Sequence, residues 1–286
     1  IPNFLRRLTA EGAFSQAFVP VVSEFRVRRS HDEVRELIAG VSGTLGAALA
    51  LLTLVGVLAA PLLVLLFAPG FRLDGDRFAM TVDMLRLTFP YIFFVSLVAL
   101  ASGILNSYGR FGFAAFNSTL LNVVMIVFAA WLAPHSSSPG LVLAAGVFVA
   151  GVVQLAFQLP ALRALGLLVR PRWGWAQEGV RRIGRLMLPG IFGSSVAQVS
   201  LLLDTVIASF LVTGSIAWMY YADRLVEFPM GVFSIALATV ILPGLSSHHA
   251  AESKAEFSDT LDWALRLTFA IVTPAALGLL MLSGPL

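Results

Sequence analysis

WMYYADRLVEFP, residues Trp218–Pro229, holds Asp223, Arg224 and Glu227 inside an otherwise apolar run. Gly214 and Ser215 read as the preceding turn, so at about 1.5 Å per residue Arg224 lies roughly 15 Å into the following helix. That depth is close to the midplane of a hydrocarbon core about 30 Å thick. On an insertion scale each such charge costs roughly 2.5–3.5 kcal/mol, so a chain that keeps three must pair them or line a wet cavity. Arg224 and Glu227, three apart, share a helix face and can pair, whereas Asp223 points elsewhere on the same turn. The cluster is either structural, self-neutralised or with its Arg bonded to a neighbouring lobe's carbonyls, or a charge offered to a polar substrate. Three charges in five residues exceed what helix packing needs, which favours the second reading.

Composition agrees with a membrane setting. The chain has 286 residues, 58% hydrophobic and 12% charged, against roughly 25% charged in soluble domains. Its mean hydropathy is +0.88, and no segment reads as a separate soluble domain. The net charge of +3 could suggest nucleic acid. All but one of the basic residues are Arg, however, and they sit mainly between apolar runs, where they set orientation rather than bind DNA. With no cysteine, disulfides, thiol catalysis and Cys-ligated metals are excluded for this chain. It opens on Ile inside an apolar phrase, from which we expect a fragment.

Apolar runs long enough to cross are expected at about 1–23, 37–67, 82–107, 112–133, 139–169, 186–212, 216–243 and 259–283. Alternating the connections gives two sets. One contains Glu24–Glu36, SYGRFG, the Arg-rich stretch 163–185 and Ser246–Phe257; the other contains 68–79, APHSSSPG and the Thr213–Ser215 turn. Basic residues number twelve in the first set against two in the second, which places the first set in the cytoplasm. Within 163–185, six Arg with Trp173 and Trp175 between them suit a helix or loop at headgroup level.

An internal echo supports a repeat. GAFS at Gly12–Ser15 matches GVFS at Gly231–Ser234; Arg7, Leu8 and Glu11 precede the first, and Arg224, Leu225 and Glu227 the second. FVP ending at Pro20 matches ILP ending at Pro243. Both copies run in the same membrane direction, the mark of a two-lobed transporter with parallel repeats and a site between the lobes. Arg6 and Arg7 begin the first copy, and Arg is suited to phosphate because it is always charged and binds oxygens in bidentate fashion. Converging arginines from both lobes would select an anionic head group. A straight helix places Arg6 near the opposite interface, where snorkelling also explains it.

Asp204, in SLLLDTVIASF with Ser200 and Thr205 nearby, is either a carboxyl held by hydroxyls or a ligand for a coupling ion. Asp83 with Arg86, and Asp262 with Arg266, lie near span ends and read as interface anchors. There is no Walker A loop, and no acid, base and nucleophile set assembles, so we expect a transporter rather than an enzyme.

PNFLRRLTAEGAFSQAFVP (Pro2–Pro20), APGF at Ala68, TFPYI at Thr88, ILNSYGRF at Ile104 and WMYYADRLVEFPMGV at Trp218 together resemble the MurJ (MviN) lipid II flippase family of the multidrug/oligosaccharidyl-lipid/polysaccharide exporter superfamily. The resemblance runs along essentially the whole chain. It implies a multi-pass protein of the bacterial inner membrane with fourteen spans, of which this chain would cover the second to the ninth. Residues 1–170 would then be an N-terminal lobe lacking its first helix, 171–185 a cytoplasmic interfacial linker, and 186–286 the start of a C-terminal lobe. It further implies that Arg6, Arg224 and Glu227 match residues required in the central cavity, where cationic groups meet the diphosphate of lipid II. Arg7, Glu11 and Asp223 belong to the same matched segments. Asp204 matches an aspartate through which some members bind sodium, the one cofactor-like ion implied. The head group would cross by alternating access. An exporter of another lipid-linked oligosaccharide or of drugs would share the fold but lack the paired Arg6 and Arg224 segments. A membrane glycosyltransferase would require a catalytic carboxylate with a metal or donor site.

Overall fold

The computed structural model describes residues 14–229, 231, 241 and 254–282. Every regular element among them is helical: α1 Ser15–Arg28, α2 His31–Leu58, α3 Ala60–Phe67, α4 Gly75–Thr88, α5 Tyr91–Ser107, α6 Phe111–Val127, α7 Pro139–Ala164, α8 Glu178–Ser209, α9 Ser215–Pro229 and α10 Lys254–Met281, with short 3-10 and π turns after α3 and α6. Among the described residues five stretches are long and apolar enough to cross a membrane: His31–Leu58, Gly75–Ser107, Phe111–His135, Pro139–Ala164 and Ala255–Met281. The chain is an all-α, multi-pass membrane protein. Of the other three expected spans, 186–212 is most of α8, whose 32 residues reach about 48 Å. The runs at 1–23 and 216–243 lie partly outside the described residues, and so does at least one half of each matched phrase of the internal echo.

Local chemistry sets the breaks. Ser30 caps α2 in a capping box: its hydroxyl accepts from the Glu33 N–H at 3.3 Å, and the Glu33 carboxylate accepts from the Ser30 N–H at 2.9 Å. Asp74 caps α4, its Oδ1 accepting from the Arg77 N–H at 3.2 Å. Pro61 stands in the first turn of α3 and Pro90 caps α5, so the runs read as 37–67 and 82–107 are each two helices meeting at a proline.

By its internal packing the chain divides into two compact units, Ile1–Leu211 and Val212–Leu286. In the first, Phe18, Val21 and Val22 of α1 interlock with Val34, Leu37 and Ile38 of α2 and with Leu100, Ile104 and Leu105 of α5. Lipid tails are as apolar as these side chains, so helix association rests on close contact more than on escape from water. Gly103 shows this: a Cβ there would sit 2.9 Å from the Phe18 ring. On the outer side of α2 and α3, Leu51, Leu54, Val55, Leu58, Leu62 and Leu66 are all exposed, a lipid-facing stripe.

One layer of this unit is polar. The side-chain amides of Asn117 on α6 and Gln158 on α7 both donate to the Ser102 hydroxyl on α5, at 3.3 and 2.9 Å. Gln154, one turn before Gln158, donates to the Asn117 carbonyl at 2.8 Å.

Between α7 and α8 the chain forms a strap along α2. The Arg172 N–H donates to the Ala39 carbonyl at 2.9 Å and the Gly174 N–H to the Thr44 hydroxyl at 3.0 Å. Gly40 and Gly43 lie directly beneath, where a Cβ would meet Gln177 and the Arg172 backbone respectively. Glu24 on α1 pairs with Arg182 on α8 at 2.9 Å. Residues 178–185, read from sequence with the linker, are the first turns of α8, so the Arg-rich stretch is part strap and part helix. At its other end α8 is tied by the Gly70 N–H, which donates to the Ser209 hydroxyl at 3.1 Å in a buried contact.

Candidate functional site

The charge cluster of the second unit is built on α9. Gly214 adopts φ +103°, a left-handed conformation that costs glycine nothing, and so reverses the chain before the helix. Trp218 lies against this turn, its indole ring 3.1 Å from where a Gly214 Cβ would be and its backbone N–H donating to the Gly214 carbonyl at 2.8 Å. The helix begins at Ser215, one residue before the expected span, and Arg224 follows nine residues later, about 14 Å along the axis.

Arg224 is held from both directions along its own helix face. Its Nε donates to the Tyr220 hydroxyl at 3.1 Å, and the guanidinium carbon lies 5.1 Å from the centroid of the Tyr220 ring. Its Nη1 donates to Glu227 Oε2 at 2.5 Å. Residues four before and three after therefore clamp one guanidinium, the two spacings that share a helix face. The Arg224 and Glu227 side chains are 47% and 51% exposed, so the pair is offered outward. Arginine carries five N–H donors; within α9 two atoms, Nε and Nη1, are engaged. The Nη2 edge is unused within α9.

Charge counting limits what this helix does alone. Asp223 and Glu227 outweigh Arg224 by one unit, so α9 by itself does not attract an anion. A site for an anion would need cations from elsewhere. The sequence nominates Arg6 and Arg7, with Glu11 beside them; all three lie outside the described residues.

Asp204 is exposed on α8. Thr205 does not serve it: the Thr205 hydroxyl donates to the Leu201 carbonyl at 2.8 Å. Among the described residues no group of three or more His, Cys, Asp or Glu gathers as a metal centre. The pairs Asp83–Arg86 and Asp262–Arg266 form, at 3.5 and 2.8 Å. Two features escaped the sequence reading. Tyr220 was discoverable, because it stands four residues before Arg224. The amide layer of Asn117, Gln154 and Gln158 left a weaker signal, two glutamines one helical turn apart in an apolar run.

The family model described as lipid II flippase MurJ matches residues 1–286. A probable lipid II flippase MurJ of Haemophilus influenzae is 47% identical, the match covering 100% of this chain and 59% of the relative. A probable lipid II flippase MurJ of Vibrio cholerae is 48% identical, covering 100% and 56%. The lipid II flippase MurJ of Burkholderia cenocepacia is 45% identical, again covering 100% and 56%. The chain thus spans somewhat over half the length of these curated relatives.

Proposed function

We propose, since this chain belongs to the lipid II flippase MurJ family, that the protein it spans part of carries lipid II from the inner to the outer leaflet of the bacterial cytoplasmic membrane, for cell wall synthesis. The observation that carries the reading is Arg224, clamped by Tyr220 and Glu227 with the Nη2 edge of its guanidinium unused within α9. A fixed guanidinium binds a diphosphate with little ordering cost, because its planar fork is already oriented.

In this reading Arg224, Arg6 and Arg7 meet the diphosphate. Glu227 and Glu11 orient those arginines and lower the cost of holding them in the bilayer. Asp223 keeps the cluster from binding anions so tightly that they cannot leave. Asp204 supplies one sodium ligand, the rest coming from the part of the protein outside this chain. Alternating access moves the polar head while the lipid tail stays in the bilayer.

The test is depletion of the full-length protein in cells that have no second flippase, with rescue by variants. Lipid II is expected to accumulate on the inner leaflet. Wild type should rescue, and Arg224→Ala should not, at equal membrane abundance. Normal flipping in depleted cells would overturn the assignment.

A further inference from the structure

The polar layer of the first unit carries more hydrogen-bonding capacity than it uses. Asn117, Gln154 and Gln158 are 7%, 4% and 0% exposed. Each spends its amide nitrogen inside the layer, on Ser102 or on the Asn117 carbonyl. The three side-chain oxygens, Asn117 Oδ1, Gln154 Oε1 and Gln158 Oε1, are buried with no hydrogen-bond partner among the described residues. A buried acceptor left unpaired costs its full desolvation, and native structures hold only a few per hundred residues. Three in one layer of one helix trio call for a guest.

We propose that Ser102, Asn117, Gln154 and Gln158 form a buried water-binding site between α5, α6 and α7. The oxygen and nitrogen of one amide are about 2.3 Å apart. Asn117 Oδ1 and Gln158 Oε1 therefore each lie within about 6 Å of the Ser102 hydroxyl that both amides contact. The guest must present positive poles to the oxygens and accept the second N–H of each amide. Water does both, typically through about three bonds at a buried site. The four side chains are neutral, so nothing in the layer balances the charge of a bare cation, which is costly at membrane depth.

The site also has an approach. Ser102 lies five residues, about 7–8 Å, inside the Ser107 end of α5. Asn106, one turn nearer that end on the same face, carries a further unpaired side-chain oxygen. This oxygen marks a polar step from the layer toward the turn at Gly109.

The experiment uses the full-length protein in lipid nanodiscs. A structure at about 2 Å should show non-protein density about 2.7–3.0 Å from Asn117 Oδ1 and Gln158 Oε1, the same in NaCl and in choline chloride. Density that disappears in choline chloride would identify an alkali cation and overturn the proposal, as would amides packed with no density between them. Thermal unfolding gives an independent reading. Gln158→Met deletes partners of a hydrated network and should lower the apparent Tm by several degrees. In a dry layer the same change removes an unpaired oxygen together with the single bond to Ser102, two effects of similar size and opposite sign, so an unchanged or raised Tm would also overturn it.

Discussion

Arg224 offers charge and shape, and the two can be separated. Arg224→Lys keeps the charge but loses the planar fork and the Nε bond to Tyr220, so lipid II binding by the full-length protein should weaken roughly tenfold. Tyr220→Phe keeps a ring beneath the guanidinium, 5.1 Å away in the wild type, and deletes only the hydroxyl. Because the clamp is half exposed, its loss should be smaller, about two- to threefold. Native mass spectrometry of the detergent-solubilised protein with lipid II reads both. Equal binding by Arg224→Lys and wild type would show that charge alone is used. The Arg224–Glu227 pair was legible because spacing on a helix fixes which side chains meet. The Tyr220 clamp obeys the same rule, yet an aromatic in an apolar run looks like packing until a guanidinium is seen beside it.

At the scale of elements, the strap between α7 and α8 depends on missing side chains in α2. A Cβ at Gly43 would collide with the Arg172 backbone, which has no rotamer to move away. At Gly46 a Cβ would meet nothing within 4 Å. Gly43→Ala should therefore detach the strap and expose it to cleavage after Arg170 and Arg172 in limited proteolysis. Gly46→Ala should leave the strap in place and stabilise the helix by about 0.5–1 kcal/mol. The other end of α8 makes a matching case: Ser209→Ala leaves the buried Gly70 N–H unpaired, at a cost of roughly 1–3 kcal/mol, measurable as a lower Tm. The helix break at Gly214 was marked in the sequence, because glycine acts locally, whereas the runs holding Pro61 and Pro90 read as unbroken spans and each proved to be two helices. The strap was not, since backbone bonds such as Arg172 to Ala39 join distant segments and impose no pattern on side chains.

For the whole molecule the question is which end of the helices faces the cytoplasm. Counting basic residues grouped the connections at 24–36, 107–112 and 163–185 on one side, and in the first unit they do meet. The Arg26 guanidinium donates to the Ser107 carbonyl and lies 4.7 Å from the Tyr108 ring centroid. Glu24 pairs with Arg182, and Arg172 bonds Ala39 a few residues inside α2. The opposite end is joined by the contact of Gly70 with Ser209. The grouping is thus geometric as well as statistical, and from the Arg excess we expect the first end in the cytoplasm. This chain has no cysteine, so in a cysteine-free version of the full-length protein single reporters are clean. Ser137→Cys, exposed in the connection between α6 and α7, should react with a membrane-impermeant maleimide in intact cells whose outer membrane has been opened. Ala176→Cys, exposed on the strap, should react only once the inner membrane is permeabilised. The reverse pattern would invert the topology, place the Arg-rich end outside and overturn the orientation read from the Arg excess.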